Sequence, residues 1–436
     1  WKLKVSKDKK KQFEVIKTLM NRSDVEYLVN GCDAGREGEL IFQRVYDLAG
    51  CKKPVKRLWI SSMEDIAIRE GFQTMKSGEE YKNLCMAAVC RAQADWLIGM
   101  NGTRAYTTRY FKRLVVGRVQ TPTLAMLAER QERIEHFQKE AFYKVALTDG
   151  KLTVVSENIA NEEAADLLAA LCNGSTAVVT QMKKERKKSF PPKLYDLTSL
   201  QREANRYFGY TAKCTLDMLQ ELYEEKLVTY PRTDSQYLSD DMEGTARNVI
   251  EAIFNSLLFE QNIMFNPDVK KVLNSKKVTD HHAIIPTMEI IKQDLKAIPE
   301  SEMKILSLCA NRLLCATAKK HIYNSTKAEL TCNGMVFKVS GKEIWENGWK
   351  DFDDFFKNSY KTSEDKKDSD DTKKLPELTE GMTITVEDTR VSEHFTQPPK
   401  HYTEDSLLSA MERAGSEDMD DDVERKGLGT PATRAD

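Results

Sequence analysis

The first eighty residues alternate between short apolar runs and segments with helical periodicity. VEYLVNG at 25–31 is typical of a short buried strand, and VKRLWISS at 55–62 predicts a second strand. GELIFQRVYDLAG at 38–50 has the spacing of an amphipathic helix that Gly50 ends, and MEDIAIREGF at 63–72 predicts a second helix. Strands that alternate with helices in this way predict a βαβ unit with a parallel sheet.

The segments 81–138 and 194–325 are predicted to be mostly helical. In the first, TPTLAMLAERQERIEHF begins with Thr121 as the expected N-cap and Pro122 at the first helical position. In the second, the residues after 197 predict two short helices separated by Gly209 and followed by a strand. That order is typical of a helix-turn-helix or winged-helix arrangement.

Alternating strands are expected at 140–182 and 326–392, for example in KVALTDGKLTVVS and KAELTCNGMVFKVSG. Because these two regions flank a helical block, we expect a helical domain inserted between the two halves of a β domain.

Composition narrows the class of protein. The chain has 436 residues, 40% of them apolar and 31% charged, which suits a globular protein of about three domains. No apolar run approaches the roughly 20 residues of a membrane span, and no signal peptide precedes the predicted fold. The nine cysteines form no C-x-x-C pair, so we expect neither a zinc site nor disulfides, but a reducing cytoplasm.

Charge is unevenly distributed although the net charge is only −2. The region 104–133 contains seven Arg or Lys and two Glu, and MKKERKK at 182–188 is a second basic block. A basic face on a nearly neutral chain can attract a polyanion. The acidic runs at 363–374 and 417–422 are expected to be solvated loops.

The stretch VTYPRTDSQYL at 228–238 combines a phenol, a guanidinium and turn-forming residues. Pro231 biases Tyr230 toward an extended backbone, and Asp and Ser favour turns, so the end of a strand is one interpretation. In the other, Tyr230 and Arg232 point to the same side of an extended segment and meet one phosphate.

The stretch CDAGREGEL at 32–40 begins where the first predicted strand ends, at Asp33. Carboxylates beyond the carboxyl end of a parallel strand lie where such sheets bind ligands, and Mg²⁺ favours a few carboxylates with waters and phosphates. A flexible acidic turn explains the same residues, because Glu37 or Glu39 would stabilise the helix dipole.

Two further stretches carry candidate anion-binding residues. VVGRVQTPTL at 115–124 places Arg118 and Gln120 before a predicted helix N-terminus, which is an anion site; a capped helix with a surface Arg is the simpler alternative. VTDHHAIIPT at 278–287 offers His281 for phosphate binding, proton relay or metal ligation; here a capped turn with one packed His is the simpler alternative.

Together, and in this order, these stretches resemble the motifs of type IA DNA topoisomerases of the bacterial topoisomerase III kind. YPRTDS and GRVQTPTL are the specific motifs, and HHAIIPT and QPPKHYTEDSLLSAMERAG support them. DAGREGE belongs to the TOPRIM module, which is shared more widely. The matching motifs span nearly all of the 436 residues.

The resemblance implies catalytic roles. Tyr230 would attack a phosphodiester of single-stranded DNA and form a 5′-phosphotyrosine link, after which another strand passes and the 3′-hydroxyl reseals the break. Since tyrosine has an ordinary pKa of about 10, the phenol needs help from its surroundings. Arg232 would stabilise charge on the reacting phosphate, and His281 would bind that phosphate.

The resemblance also implies binding roles and partners. Asp33 and Glu37 match the metal-associated acids, so Mg²⁺ is the expected cofactor. The expected DNA-binding residues are Arg118, Gln120, Arg36 and Lys400. The expected partner is single-stranded or negatively supercoiled DNA, and no membrane association is expected. The protein is expected to be a monomer in the cytoplasm that associates with the nucleoid.

The implied fold class is a multidomain combination of α/β, α and β parts that forms a toroid. The expected domains are a partial TOPRIM α/β domain at 1–80, a helical DNA-binding domain at 81–138 and 399–436, a β-rich arch at 139–192 and 326–398, and a winged-helix-like domain at 193–325 that carries Tyr230.

The chain departs from the family pattern at two points. The pattern D-x-D-x-E has Gly35 at its middle acid, which weakens the acid cluster. No E-K-P-S-like stretch with its acid/base Glu precedes Asp33; Glu14 lies in a helical stripe. We therefore expect a fragment that cleaves and religates poorly, since loss of a general acid/base costs about 10²–10⁴-fold.

Two alternatives stay open. The chain is another TOPRIM nucleotidyl-transfer enzyme, such as a primase-like or nuclease-like protein, or it is a non-catalytic module that binds single-stranded DNA. The first alternative requires the acid cluster but not YPRTDS or GRVQTPTL.

Overall fold

The computed structural model describes residues 3–60, 65–256, 258–259, 265–278, 280–360, 375–415 and 427–435, without the side chains of 66, 432 and 435. The acidic runs at 363–374 and 417–422, which were predicted to be solvated loops, lie outside these ranges.

The α-helices of the described residues are, in chain order, α1 (Lys10–Met20), α2 (Arg36–Ala49), α3 (Asp65–Gln73), α4 (Lys82–Tyr110), α5 (Gln120–Glu135), α6 (Glu162–Cys172), α7 (Leu197–Phe208), α8 (Ala212–Glu224), α9 (Glu243–Phe254), α10 (Glu300–Thr317), α11 (Lys350–Tyr360), α12 (Glu404–Arg413) and α13 (Pro431–Ala435). The strands are β1 (Leu28–Asn30), β2 (Val55–Arg57), β3 (Lys76–Ser77), β4 (Ala141–Thr148), β5 (Thr153–Ser156), β6 (Thr176–Ser189), β7 (His321–Cys332), β8 (Met335–Glu346), β9 (Thr383–Thr385) and β10 (Asp388–Phe395).

The N-terminal part contains the predicted βαβ unit. Strands β1 and β2 pair in parallel, α2 connects them, and β3 adds an antiparallel edge. Gly50 ends α2 in the left-handed conformation at φ 65°, as expected of a glycine C-cap. The core here is small, with Met20, Ala49 and Cys51 as its buried cluster.

The segment 81–138 forms α4 and α5, as predicted, but the predicted start of α5 is wrong. The helix begins at Gln120, so Thr121 and Pro122 lie inside its first turn. The Thr121 hydroxyl still binds a backbone amide, that of Gly117 at 3.0 Å. Threonine and proline both favour the start of a helix, but the helical backbone begins one residue before Thr121.

The two strand-rich regions join in one seven-stranded sheet with the order β10-β4-β5-β8-β7-β6-β9. Strands from before the helical block (β4, β5 and β6) and from after it (β7 to β10) are neighbours in this sheet, so the block lies between two chain segments that share one sheet. Helix α6, capped by the Asn161 side chain, lies where only strands were expected, because the apolar residues of EEAADLLAALC satisfy helical spacing as well.

The inserted block has a large core built from α7, α8, α9 and α10. Gly209 separates α7 from α8 at φ 69°, as predicted. Helix α11 also contributes to this core through Phe352 and Phe356, although the expected domain limits assign it to the arch. Thr403 caps α12, and Leu408 of that helix reaches the same core.

Within the described ranges, no helix combines the length and the apolar character that a membrane crossing requires.

Candidate active site

Tyr230 lies on what we call the tyrosine segment, residues 226–235. After α8, Lys226 adopts a left-handed conformation at φ 66°, and Leu227 and Val228 are fully buried in the large core. A regular strand was predicted here, but the segment makes only an isolated bridge, between Val228 and Pro286.

Hydroxyl groups fix this segment in place of a strand ladder. Thr229 donates from its side chain to the carbonyl of Ala283 at 3.1 Å and accepts from the amide of Ile285 at 3.0 Å. Thr233 donates to the carbonyl of His281 at 2.9 Å. The tyrosine segment and the histidine stretch are therefore held together by neutral hydrogen bonds inside the protein.

The second part of the site is the acid loop, residues 30–39, where β1 ends and α2 begins. Arg57, which is fully buried at the end of β2, donates to the carbonyls of Asn30, Cys32 and Asp33 at 2.7–3.0 Å. The same guanidinium pairs with Glu39. One side chain thus shapes the loop that presents Asp33.

Gly38 allows the loop to fold back against α2. A Cβ atom at this position would lie 2.0 Å from the carbonyl oxygen of Asp33, far inside van der Waals contact. A glycine is therefore required wherever the loop takes this course.

The tyrosine segment meets the acid loop directly. The phenol of Tyr230 donates to Oδ2 of Asp33 at 3.0 Å, although the two residues are 197 positions apart. Arg232 reaches the same carboxylate oxygen at 3.7 Å. Tyr230 and Arg232 therefore reach the same carboxylate oxygen, although the backbone bends at Pro231 and Arg232 instead of running extended as predicted.

His281 completes the contact. Its ring stacks on the Tyr230 ring with centroids 4.0 Å apart, and its Nε2 donates to the carbonyl of Ala34 at 2.6 Å. Trp59 lies on the far side and donates to the carbonyl of Asp280 at 3.3 Å. The histidine is therefore packed between the two halves of the site.

Burial determines the electrostatics of this contact. It raises the pKa of Tyr230, and the negative charge of Asp33 raises it further although Arg232 opposes the effect. Burial likewise lowers the pKa of His281 to about 4 and raises that of the neighbouring Tyr223 to about 12. In this arrangement the phenol is protonated and the imidazole is neutral at pH 7.

Glu37 and Arg118 are held by α4 rather than by the tyrosine segment. Arg91 pairs with Glu37 at 2.9 Å, and Asp95 pairs with Arg118 at 2.6 Å. Because Arg91 and Asp95 are four residues apart, they lie on one face of the helix. That face brings the acid loop and the GRVQ motif close together.

The other predicted DNA-binding residues lie at the surface. Arg36 is exposed in the first turn of α2, and Gln120 is exposed where α5 begins. Lys400 is exposed too, and its carbonyl accepts from Arg130 of α5 at 2.9 Å. None of these three contacts Tyr230 in the part of the chain that the structure describes.

The described residues do not form a ready-made metal site. Among them, no group of three or more His, Cys, Asp or Glu side chains is placed to hold an ion. Asp33 is engaged by Tyr230 and Arg232, Glu37 by Arg91, and Gly35 supplies no carboxylate. Two carboxylates, both already paired, are too few for a cage built by the protein alone.

Comparison with known proteins decides the family. A family model described as DNA topoisomerase matches residues 79–436, which include Tyr230, His281 and the GRVQ motif. The chain belongs to this topoisomerase family. It is a bacterial type IA, topoisomerase III-like protein, since it is 40% identical over 457 residues to DNA topoisomerase 3 of Bacillus subtilis and 40% identical over 458 residues to that of Bacillus licheniformis.

The relatives are longer than this topoisomerase chain. All of the chain aligns with both Bacillus proteins, but it spans only 62% and 61% of their lengths. The structure of full-length topoisomerase I from Thermotoga maritima has a TM-score of 0.73 at 24% identity, covering 99% of this chain and 68% of that one. This likeness supports a multidomain, toroid-like fold, whereas the individual domain limits stay predictions.

Several residues of the candidate site carried no clear sequence signal. Arg57 follows Lys56 in a three-residue strand, and two consecutive charges suggest an exposed edge rather than a buried organiser. Arg91 and Asp95 have helical i, i+4 spacing, which is common on solvated helices. Only their partners, Glu37 and Arg118, were recognisable by motif.

Proposed function

We propose that the whole protein is an ATP-independent type IA topoisomerase that opens single-stranded DNA through a 5′-phosphotyrosine intermediate on Tyr230. The observation that carries this proposal is the convergence of Tyr230, Arg232 and His281 on the acid loop, with the phenol hydrogen-bonded to Asp33 at 3.0 Å.

The proposed reaction is a phosphoryl transfer. The Tyr230 oxygen bonds to phosphorus, the bond from phosphorus to O3′ breaks, and the 5′-phosphate stays on the enzyme. Asp33 is placed to accept the phenolic proton, and Arg232 to bind the phosphate oxygens. The leaving O3′ needs a proton from an acid, and resealing reverses each step.

The closed arrangement represents a resting state of this reaction. The Tyr230 side chain is only 7% exposed, and a phenol with a raised pKa is a weak nucleophile. DNA would enter when the tyrosine segment separates from the acid loop. The contacts to be broken include those of Tyr230 and Arg232 with Asp33 and that of His281 with Ala34. Those of Trp59 with Asp280 and of Lys226 with Asp65, at 2.8 Å, join the same two parts.

Mg²⁺ binding is proposed only together with DNA. Mg²⁺ is often held by one or two carboxylates with phosphate and water completing its shell. Asp33 and Glu37 would supply those carboxylates after exchanging their present partners. No chemical step above depends on the ion.

The test uses the full-length protein and single-stranded DNA labelled at either end, separated by denaturing electrophoresis. We expect a covalent adduct that retains the 3′-end label and releases the 5′-end label on a free fragment. Tyr230→Phe should abolish the adduct, whereas the control Tyr223→Phe, whose ring packs edge-on against Tyr230, should retain it. An adduct in Tyr230→Phe would exclude the tyrosyl mechanism.

The same assay tests the metal proposal. Addition of EDTA should weaken religation and DNA retention in the wild-type protein. If EDTA has no effect on either, Mg²⁺ is not a cofactor of this site.

The two alternatives to a topoisomerase are not equally supported. A primase-like or nuclease-like enzyme is disfavoured because the match of the topoisomerase family covers 79–436. The chain of 436 residues by itself is proposed to bind single strands and to cleave them poorly, as a monomer. In the whole protein, a cytoplasmic, nucleoid-associated location follows from a DNA substrate.

A further inference from the structure

The C-terminal end of α4 carries an exposed patch that the site above does not use. We define this α4 patch as residues 104–113. An open groove of about 610 Å³ is lined by Arg104, Ala105, Thr108, Arg109 and Phe111. The groove is large enough for a nucleotide-sized ligand.

The patch is strongly cationic. From residue 104 to residue 128 the chain has five Arg or Lys and no Asp or Glu. Arg104, Arg109, Lys112 and Arg113 are exposed, and none forms an ion pair with another described residue, unlike Arg118 with its Asp95 partner. Four solvated cations without neighbouring acids are suited to a polyanion.

Aromatic rings are interleaved with these cations. Tyr106 and Tyr110 stack with centroids 6.0 Å apart, and the Arg109 guanidinium lies 5.8 Å from the Tyr110 ring. Both tyrosines are more than half exposed. Cations that track a backbone and rings that stack on bases are the two elements of sequence-tolerant single-strand binding.

Phe111 is the most unusual residue of the patch. Its side chain is 94% exposed, and its backbone is left-handed at φ 53°. Bulky residues rarely adopt this conformation, and such strain concentrates at functional positions. A glycine or asparagine would satisfy the turn, so packing within the described chain does not explain the phenylalanine.

The loop after α4 leaves the patch uncovered. It returns along the opposite side of the helix, where Thr103 and Thr107 hydroxyls accept from the amides of Val116 and Leu114. Gly102 permits this approach, because a Cβ there would lie 3.0 Å from Val116. The loop therefore packs on one face of α4 and leaves the cationic face open.

We propose that the α4 patch is a second binding site for single-stranded DNA, separate from the cleavage site. Arg91, which holds the acid loop, and Arg109 are 18 residues apart on one helix, which corresponds to about 27 Å. The patch would thus hold a strand at a distance from the break. The ligand class is shared with the proposed function, but this site needs no chemistry from Tyr230.

The test measures equilibrium binding of fluorescent oligo(dT), about 5 and about 25 nucleotides long, to the full-length protein in a Tyr230→Phe background. The variant Arg104→Gln/Arg109→Gln is compared with Lys10→Gln/Lys11→Gln, which removes two exposed charges from α1. We expect the patch variant to lose at least about fivefold in affinity for the long strand only. Its log–log salt dependence should become shallower by about 1.4, since each phosphate contact contributes about 0.7.

A second variant, Phe111→Asn, removes the ring while suiting the left-handed backbone. Loss of one stacked base should weaken long-strand binding at least about fivefold with no fall in melting temperature. Unchanged affinity in both patch variants would overturn the proposal. So would a lower melting temperature of Phe111→Asn with unchanged affinity, because the face would then be covered by polypeptide. The adduct assay with wild-type Tyr230 reports separately on the proposed function.

Discussion

The tyrosine segment and the acid loop meet at one site but are held in place by opposite means. The tyrosine segment is anchored by several neutral bonds, such as those of Thr229 and Thr233, and rests on the large core of α7–α10. The acid loop is organised mainly by one buried guanidinium, that of Arg57, with a further bond from the amide of Cys32 to the Asn30 side chain, over a core cluster of three buried residues.

This difference indicates which half of the site opens more easily. Loss of any one neutral bond leaves the tyrosine segment with the others, whereas loss of Arg57 removes the donor of the Cys32 and Asp33 carbonyls and the ion-pair partner of Glu39 at once. Regions with small cores open at lower free energy than regions with large ones. We therefore expect the acid loop to be the less stable partner, and the following experiments test that expectation.

The largest effect is expected from Arg57→Met. The change leaves Glu39 as a buried carboxylate without its ion-pair partner and deprives the carbonyls of Cys32 and Asp33 of a donor. Breaking a buried pair in this way costs about 3–5 kcal/mol. Hydrogen exchange should show protection lost across 28–58, with the tyrosine segment retained.

The control for this variant is Arg44→Met, an exposed position on α2, which should leave exchange unchanged. If the two variants show the same hydrogen exchange across 28–58, the Arg57 guanidinium does not organise the acid loop.

A smaller effect is expected from acidification. His281 has a pKa lowered to about 4, mainly by burial, from an ordinary value of 6.5. The unfolded or open state therefore binds a proton first, so the closed contact is fully stable above pH 6.5 and is weakened as pH falls toward 4. The loss should reach roughly 2 kcal/mol by pH 4.5.

Thermal melting between pH 7.5 and 4.5 checks this expectation. His281→Asn does not titrate, so its melting temperature should fall less than that of the wild-type protein over the same interval. Parallel curves would assign the pH dependence to other groups.

Gly38→Ala should have an intermediate effect that is again confined to the acid loop. The added methyl group would meet the Asp33 carbonyl at 2.0 Å, so the loop must shift, at a cost of about 1–3 kcal/mol. Gly244→Ala is the matched control, since it lies in α9 with no atom within 4 Å of the added Cβ. The control should be slightly stabilised, because alanine favours a helix more than glycine does. Destabilisation of both variants by the same amount would refute the steric argument.

The sequence predicted the helices and the candidate residues of this site better than it predicted the contacts between distant parts of the chain. Hydrophobic periodicity located α2, α7 and α8, because each buries one continuous stripe. Motif resemblance selected Tyr230, Arg232, His281 and Asp33, and the structure brings these four together.

Residues that act through distant partners were missed. Arg57 and Asp95 acquire their roles only when β2 lies beside β1 and when the GRVQ loop lies against α4. Local patterns describe neither event. Glu37 was expected to hold a metal ion together with Asp33, yet the structure pairs it with Arg91 of α4.

The smallest effect is expected in the tyrosine segment, from Thr229→Val. Valine has the shape of threonine but lacks the hydroxyl that links Ala283 to Ile285, so the cost is about 1 kcal/mol. Because the amide of Thr229 still donates to the carbonyl of Ile285 at 3.0 Å, we expect the segment to keep its course and its exchange protection. Thr153→Val, at an exposed strand position, provides the control for the substitution itself. A loss from Thr229→Val as large as that from Arg57→Met would show that the tyrosine segment also depends on one side chain, and the contrast between the two halves of the site would be wrong.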